Sequence, residues 1–358
     1  MELTLPSSHS PPTSPWDPMN HTAAGAGAGG CGPWDDPARF IVVPAAYAVA
    51  LCLGLPANLA ALAIFGRGGG RLGRALRLYL LNLAVADILF TLTLPFWLTY
   101  YLGRAHWPFP ASLCHGTGAT YYAATYAAIS FMVLISVSRY CTVQGPKPGF
   151  GTRLPLNQLR VAQAACAATW VLCVACAAPS LVSARALSPG PGGTTRCFEH
   201  GWARQDMAYV TVGFFLAAFL LVLGAYISLA RVLVGPSPSG GASLGPSAPG
   251  SHRRMARTMV LGLLLVFAAC LAPYHLILAP WVAGQEGNDG GRGDGECPLP
   301  STLDVLHTLS LALLSLNSCL DPLVYCFSLR RFRQDCRGLS CCPGSRGTNV
   351  PAASCSSS

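Results

Sequence analysis

Charge is what this sequence lacks most. Of 358 residues, 10% are Asp, Glu, Lys or Arg, against roughly 25% in soluble domains, while 52% are hydrophobic. That balance excludes an ordinary soluble globule and reads as a chain that crosses a membrane several times. Lysine is nearly absent. Lys147 is the only one and stands in a polar connection, which excludes a retinal Schiff base inside an apolar bundle. Enzyme signatures are missing too: there is no HExxH, no nucleotide-binding glycine loop and no nucleophile elbow. Residues 1–33 are polar and rich in Pro, Ser and Gly. They hold no apolar core of signal-peptide type, so the first apolar span is expected to direct insertion.

Long apolar runs are what the sequence has instead. They fall near 40–65, 78–102, 113–138, 160–182, 208–230, 258–282 and 303–327. An odd number of spans puts the termini on opposite sides. Arg39, Arg104, Arg185, Arg196, Arg204 and Arg292 fall on one side, and the other 17 of 23 basic residues on the other. The positive-inside rule then places the C-terminus in the cytosol and the N-terminus outside. The basic balance is thus a topology signal and not a nucleic-acid surface. The expected fold is all-α, a seven-transmembrane helix bundle over 39–328. A tail over 1–38 precedes it, and a short amphipathic helix with a cytoplasmic tail over 329–358 follows, where Leu329 and Phe332 sit among arginines.

The third span organises the rest. It runs uncharged from Cys114 to Arg139, about 37 Å of helix, with Ser138-Arg139-Tyr140 at its far mouth. Small residues along it would let neighbouring helices approach closely. Asn58 in the first span and Asp87 in the second are polar groups at membrane depth, which demand partners and mark function. Asn20-His21-Thr22 is a glycosylation sequon on the outer side. Cys336, Cys341 and Cys342 follow the last span and are palmitoylation candidates. Cys31 and Cys297 are outer cysteines expected to bridge the tail to the third outer loop, with two free thiols as the alternative.

Taken in order, several motifs resemble the rhodopsin-like G-protein-coupled receptors. They are GxxxN ending at Asn58, NLAxAD ending at Asp87, Cys114, SRY with Arg139, and Trp170. Phe267-x-x-Cys270-x-x-Pro273, Asn317 and Asp321-Pro322-x-x-Tyr325 complete the set. The resemblance covers roughly residues 40–337. It implies a multi-pass plasma-membrane receptor with heterotrimeric G-protein and arrestin partners, and a disulfide between Cys114 and Cys197. The family's polar centre matches Asp87, Asn317 and Asp321, often with a sodium ion beside the position of Asp87. The third-helix serine that helps hold that ion matches Ala128 here. Ser138, Arg139, Tyr140, Pro322 and Tyr325 match its coupling machinery, with Ser138 where most members carry an acid.

By the family's geometry, Trp97, Tyr121, Tyr122, Tyr126, Tyr274, His275 and His307 approach one cavity, roofed by Glu199 and His200. Aromatic rings beside a carboxylate suit a quaternary ammonium, and histidines and tyrosines can donate to a phosphate. Leu94-Pro95-x-Trp97, Cys197-Phe198-Glu199-His200, Pro273-x-His275, Ala279-Pro280-Trp281 and His307 are similar to the branch that takes ether phosphocholine lipids of the platelet-activating-factor type. The expected ligand is therefore an amphipathic phospholipid. A proton-sensing or lysolipid receptor of the same family is the first alternative, since several histidines stand on the outer side. A transporter is the second, although the two halves show no internal repeat.

Overall fold

In the computed structural model the described residues are 38–67, 73–103, 106–144, 155–182, 187–189, 195–197, 205–234, 249–289 and 302–328. Seven helices among them are long and apolar enough to cross a membrane. Helix α1 runs over 38–66, its membrane-capable part being Arg39–Gly66, and contains π-helical turns at Ala38–Val42 and Ala50–Gly54. Then come α2 (Arg74–Leu102), α3 (Ala111–Gln144) and α4 (Pro155–Val182). A short antiparallel ribbon follows, β1 (Leu187–Pro189) with β2 (Thr195–Cys197). Helix α5 is Gln205–Val234. Helix α6 is continuous through Pro249–Val266, a π-helical turn at Phe267–Leu271, and Ala272–Asp289. Helix α7 is Thr302–Ser328.

The helices outrun the apolar spans in places. α3 continues to Gln144 and α6 starts at Pro249, well before the apolar run at 258. Hydropathy marks only the stretch that must avoid water, whereas backbone hydrogen bonding carries a helix on past it. Pro249 suits a first helical turn, where its missing N–H costs nothing.

α3 is the central post, as its small residues imply. It packs against α2, α4, α5 and α6, while α7 packs against α1, α2 and α6. In its most apolar stretch 61% of residues are buried, against 22% in α4 and in α5. The outward faces of α4 and α5 present Val171, Leu172, Val174, Val210 and Leu220, as hydrocarbon requires. Several polar side chains at this depth find partners within the bundle. The Thr91, Thr125 and Ser136 hydroxyls donate to carbonyls four residues back, at 2.9, 2.8 and 2.8 Å. Asn58 is buried and donates to the Ser318 carbonyl at 2.7 Å, tying α1 to α7. The Trp170 indole donates to Asn82 Oδ1 at 2.9 Å, tying α4 to α2.

Cysteines in the spans divide. Cys166, Cys173 and Cys270 are buried packing residues, as expected of small apolar side chains, whereas Cys52 and Cys176 face out of the bundle. Among the described residues no group of three or more His, Cys, Asp or Glu gathers as a metal site. Asn20, Cys31, Glu199, His200, Cys297, Cys336, Cys341, Cys342 and the expected eighth helix lie outside the described residues.

Candidate functional site

One end of the bundle is closed by a disulfide and lined with rings. Cys114, near the start of α3, is bonded to Cys197 on β2, with Cα atoms 6.0 Å apart. The ribbon is held a second way. Trp107 N–H donates to the Thr195 carbonyl at 2.8 Å, and Thr195 N–H donates to His106 Nδ1 at 3.2 Å. Trp107 itself is 2% exposed and packs on Trp97 and Tyr100, both ring centroids 6.1 Å away. It lies outside the expected set because it stands in a short connection, away from any motif.

The seven expected aromatic and histidine residues that are described form one network. Trp97 meets Tyr121 edge-on at 5.9 Å, and Tyr121 meets Tyr122 at 5.3 Å. Tyr122 on α3 and Tyr274 on α6 are near enough for their hydroxyls to act on each other. Tyr274 leads on to His275 at 5.2 Å and His307 at 5.7 Å, and Tyr126 reaches His275 at 6.0 Å. Phe90 and Phe215 join in, against Tyr121 at 4.7 Å and against His275 at 4.3 Å.

The network is graded in depth. His275 is 0% exposed and Tyr121 3%, whereas Tyr122, Tyr126 and His307 are half-buried. His275 is also chemically committed. Its Nδ1 lies 2.7 Å from the Leu271 carbonyl, and a carbonyl only accepts, so Nδ1 carries the proton. A neutral ring in that tautomer offers only an acceptor at Nε2, which has no partner.

At mid-depth Asp87, Asn317 and Asp321 come together, 1%, 7% and 0% exposed. The two carboxyl groups are near enough to act on each other electrostatically. Asp87 Oδ2, Asn317 Oδ1 and both Asp321 side-chain oxygens lack hydrogen-bond partners. Asp87 and Asn317 line a small cavity with Ala124, Thr125, Ala128 and Leu314. These orphaned oxygens suit a hard cation, and Ala128 adds no hydroxyl to them.

At the opposite end Arg139 is 9% exposed, and its Nε and Nη2 have no hydrogen-bond partner. Ser138 is half-buried, and its backbone carbonyl accepts from Thr142. Tyr325 on α7 is fully buried against Phe65, centroids 5.6 Å apart. The described acids all lie elsewhere, so no carboxylate among the described residues stands at this end.

A bundle of seven crossing helices, a disulfide-closed aromatic end and a buried arginine at the other describe a receptor architecture, and the comparisons agree. The family "7 transmembrane receptor (rhodopsin family)" matches residues 57–325. The chain belongs to that family of membrane-spanning receptors. Among curated proteins it is 30% identical to the platelet-activating factor receptor of Cavia porcellus, over 84% of this chain and 86% of the relative. The Homo sapiens platelet-activating factor receptor is 28% identical over the same shares. A purinoceptor of Rattus norvegicus is 30% identical over 88% of this chain and 83% of the relative.

Proposed function

We propose that the chain is a receptor for an amphipathic phospholipid of the platelet-activating-factor type, and that it activates a heterotrimeric G protein. The Cys114 end faces outward and takes the ligand. The Arg139 end faces the cytosol and meets the G protein, with arrestin as a further partner. The observation that carries this reading is the ring network running from α2 through α3 and α6 to α7. Its buried rings suit an alkyl chain, and Tyr122, Tyr126 and His307 put polar atoms in its half-buried part. The similarity to platelet-activating factor receptors supports it.

Glu199, His200 and His307 stand as head-group residues, with Trp97, Tyr121, Tyr122, Tyr126 and Tyr274 lining the chain's path. His275 stacks within that path, with Nε2 left as an acceptor. Agonist binding shifts the population toward a state whose Arg139 end is open. Asp87, Asn317 and Asp321 couple the two ends through a shared proton or a sodium ion.

The test is displacement of a labelled ether phosphocholine lipid from membranes carrying the full chain, by a panel of phospholipids, lysolipids and purines. Saturable binding displaced by phosphocholine lipids is the expected result. Displacement by purines instead, or no saturable lipid binding, would overturn the reading. A response to acid with no lipid present would favour the proton-sensing alternative.

A further inference from the structure

One polar atom in the buried ring network is left unmatched. His275 is 0% exposed, and its Nε2 is an acceptor with no hydrogen-bond partner. Turning the ring to find one would break its other contacts. Nδ1 is held at 2.7 Å by the Leu271 carbonyl on the same helix. One face lies flat on Phe215 of α5, with centroids 4.3 Å and planes 9° apart, and Phe215 stacks in turn on Phe267 at 6.0 Å. Phe267 and Leu271 are the first and last residues of the π-helical turn in α6, so the imidazole is braced against both ends of that turn. The hydroxyl-bearing rings beside it have other neighbours: Tyr274 lies near Tyr122 on α3, and Tyr126 near Thr211 on α5. An alkyl chain laid against Nε2 would leave it without a donor, and a buried acceptor left unmet costs about 1–3 kcal/mol.

We infer that the ligand carries a hydroxyl that donates to His275 Nε2, so that the lipid recognised bears a hydroxyl on its buried part in place of a plain alkyl chain. The inference rests on the phospholipid reading above and adds one chemical group to it. The acceptor is fixed before the ligand arrives, so little freedom is lost when the bond forms. What it demands is a donor and not polarity in general. A keto, ester or ether oxygen has only lone pairs and would face Nε2 as acceptor against acceptor. A charged ammonium would lose far more solvation at this depth than one neutral acceptor returns. A hydroxyl is a small neutral donor that can be carried into a ring-lined space. Two sources supply it: a hydroxyl along the alkyl chain, or the free glycerol hydroxyl of a lysolipid.

The experiment measures binding of ether phosphocholine lipids of one chain length to the full-length chain in membranes at matched surface expression. The probes are a plain chain with its glycerol hydroxyl blocked, the same lipid hydroxylated at successive chain carbons, keto analogues at the same carbons, and the lysolipid. In the wild type one hydroxyl position should bind about tenfold tighter than the plain lipid, because Nε2 is fixed in place. The keto analogue at that carbon should bind no tighter than the plain lipid. The same gain seen with the lysolipid instead would place the donor on the glycerol and equally support the inference. His275→Phe, which keeps a ring on Phe215 and removes both nitrogens, should bind plain and hydroxylated lipids alike. Where that variant fails to reach the surface, the hydroxyl and keto comparison in the wild type decides alone. Equal affinity for plain, hydroxylated and lyso lipids, an equal gain from the keto analogue, or a hydroxyl preference that survives His275→Phe would overturn the inference and leave the phospholipid reading standing. A wild-type chain that binds none of the probes would overturn both.

Discussion

Gly262 on α6 stands so close to Val324 on α7 that a Cβ added at 262 would lie 2.9 Å from one valine methyl and 3.0 Å from the other. Val324 directly precedes Tyr325, in the half of the bundle that holds Arg139. No carboxylate among the described residues stands beside Arg139, and close packing of α6 on α7 is the contact expected to hold this end closed. Valine is stiff at χ1 and has little room to turn aside. Overpacking of this kind costs about 1–3 kcal/mol. Gly262→Ala should therefore push α6 outward and raise ligand-free nucleotide exchange about fivefold or more at matched expression. Val324→Ala in the same chain should bring it back. Exchange equal to wild type in Gly262→Ala would show that this contact plays no part in the closed state.

The Asn82–Trp170 bond predicts a stability effect with no effect on ligand preference. Asn82 accepts from the indole at 2.9 Å and donates to the Leu78 carbonyl at 2.8 Å. Trp170→Phe keeps an aromatic ring near Phe131, whose centroid lies 5.8 Å from that of Trp170, and removes the donor together with part of the ring surface. A net loss of about 1 kcal/mol is expected, read as a lower thermal midpoint in detergent. The rank order of displacing lipids should stay as in wild type. A reordered series would mean that α4 shapes the binding end.

Most of the bundle is legible in the chain because membrane helices announce themselves. A residue that must avoid water has to be apolar, so the runs near 78–102 and 303–327 lie within α2 and α7. Buried polar residues at membrane depth are equally legible, since each is costly unless paired, and Asn58 and Asp87 stand out for that reason. Packing between particular faces is less legible. Gly262 looks like any small residue until Val324 is placed against it. Trp281 and Asp304 are 23 residues apart on different helices, and only the crossing of α6 and α7 brings the indole to the carboxylate. The tautomer of His275 is likewise set by a carbonyl one turn back, which composition does not reveal.

The disulfide and the two backbone contacts at Thr195 hold the same ribbon, so their losses should differ in kind. Cys197→Ser removes the covalent tie between β2 and α3 but leaves the Trp107 and His106 hydrogen bonds to Thr195 available. Lipid binding should fall together with surface expression. The receptor that does reach the surface should bind more weakly because the ribbon is no longer fixed at both points. Full affinity in that surface fraction would show that the disulfide serves assembly alone.

Ser138 sets the last expectation. A hydroxyl beside Arg139 offers only a neutral acceptor, and the guanidinium's Nε and Nη2 stay unpaired although the residue is 9% exposed. An unpaired buried charge raises the energy of the closed state, and an incoming acceptor on a G protein would relieve it. Supplying a carboxylate at 138 should relieve it from within. Arg253, Arg254 and Arg257 on α6 add further positive charge to this end, which an aspartate would also partly offset. A partly shielded ion pair contributes about 1 kcal/mol, close to fivefold in the equilibrium. Ser138→Asp should accordingly lower ligand-free nucleotide exchange by about that factor, with agonist response retained at higher ligand concentration. Arg139→Ala should abolish exchange and spare lipid binding, because its side chain lies at the end of α3 opposite Cys114. The decisive measurement is exchange with and without agonist in membranes at matched surface density. Raised exchange in Ser138→Asp would mean that the carboxylate frees Arg139 from some other restraint.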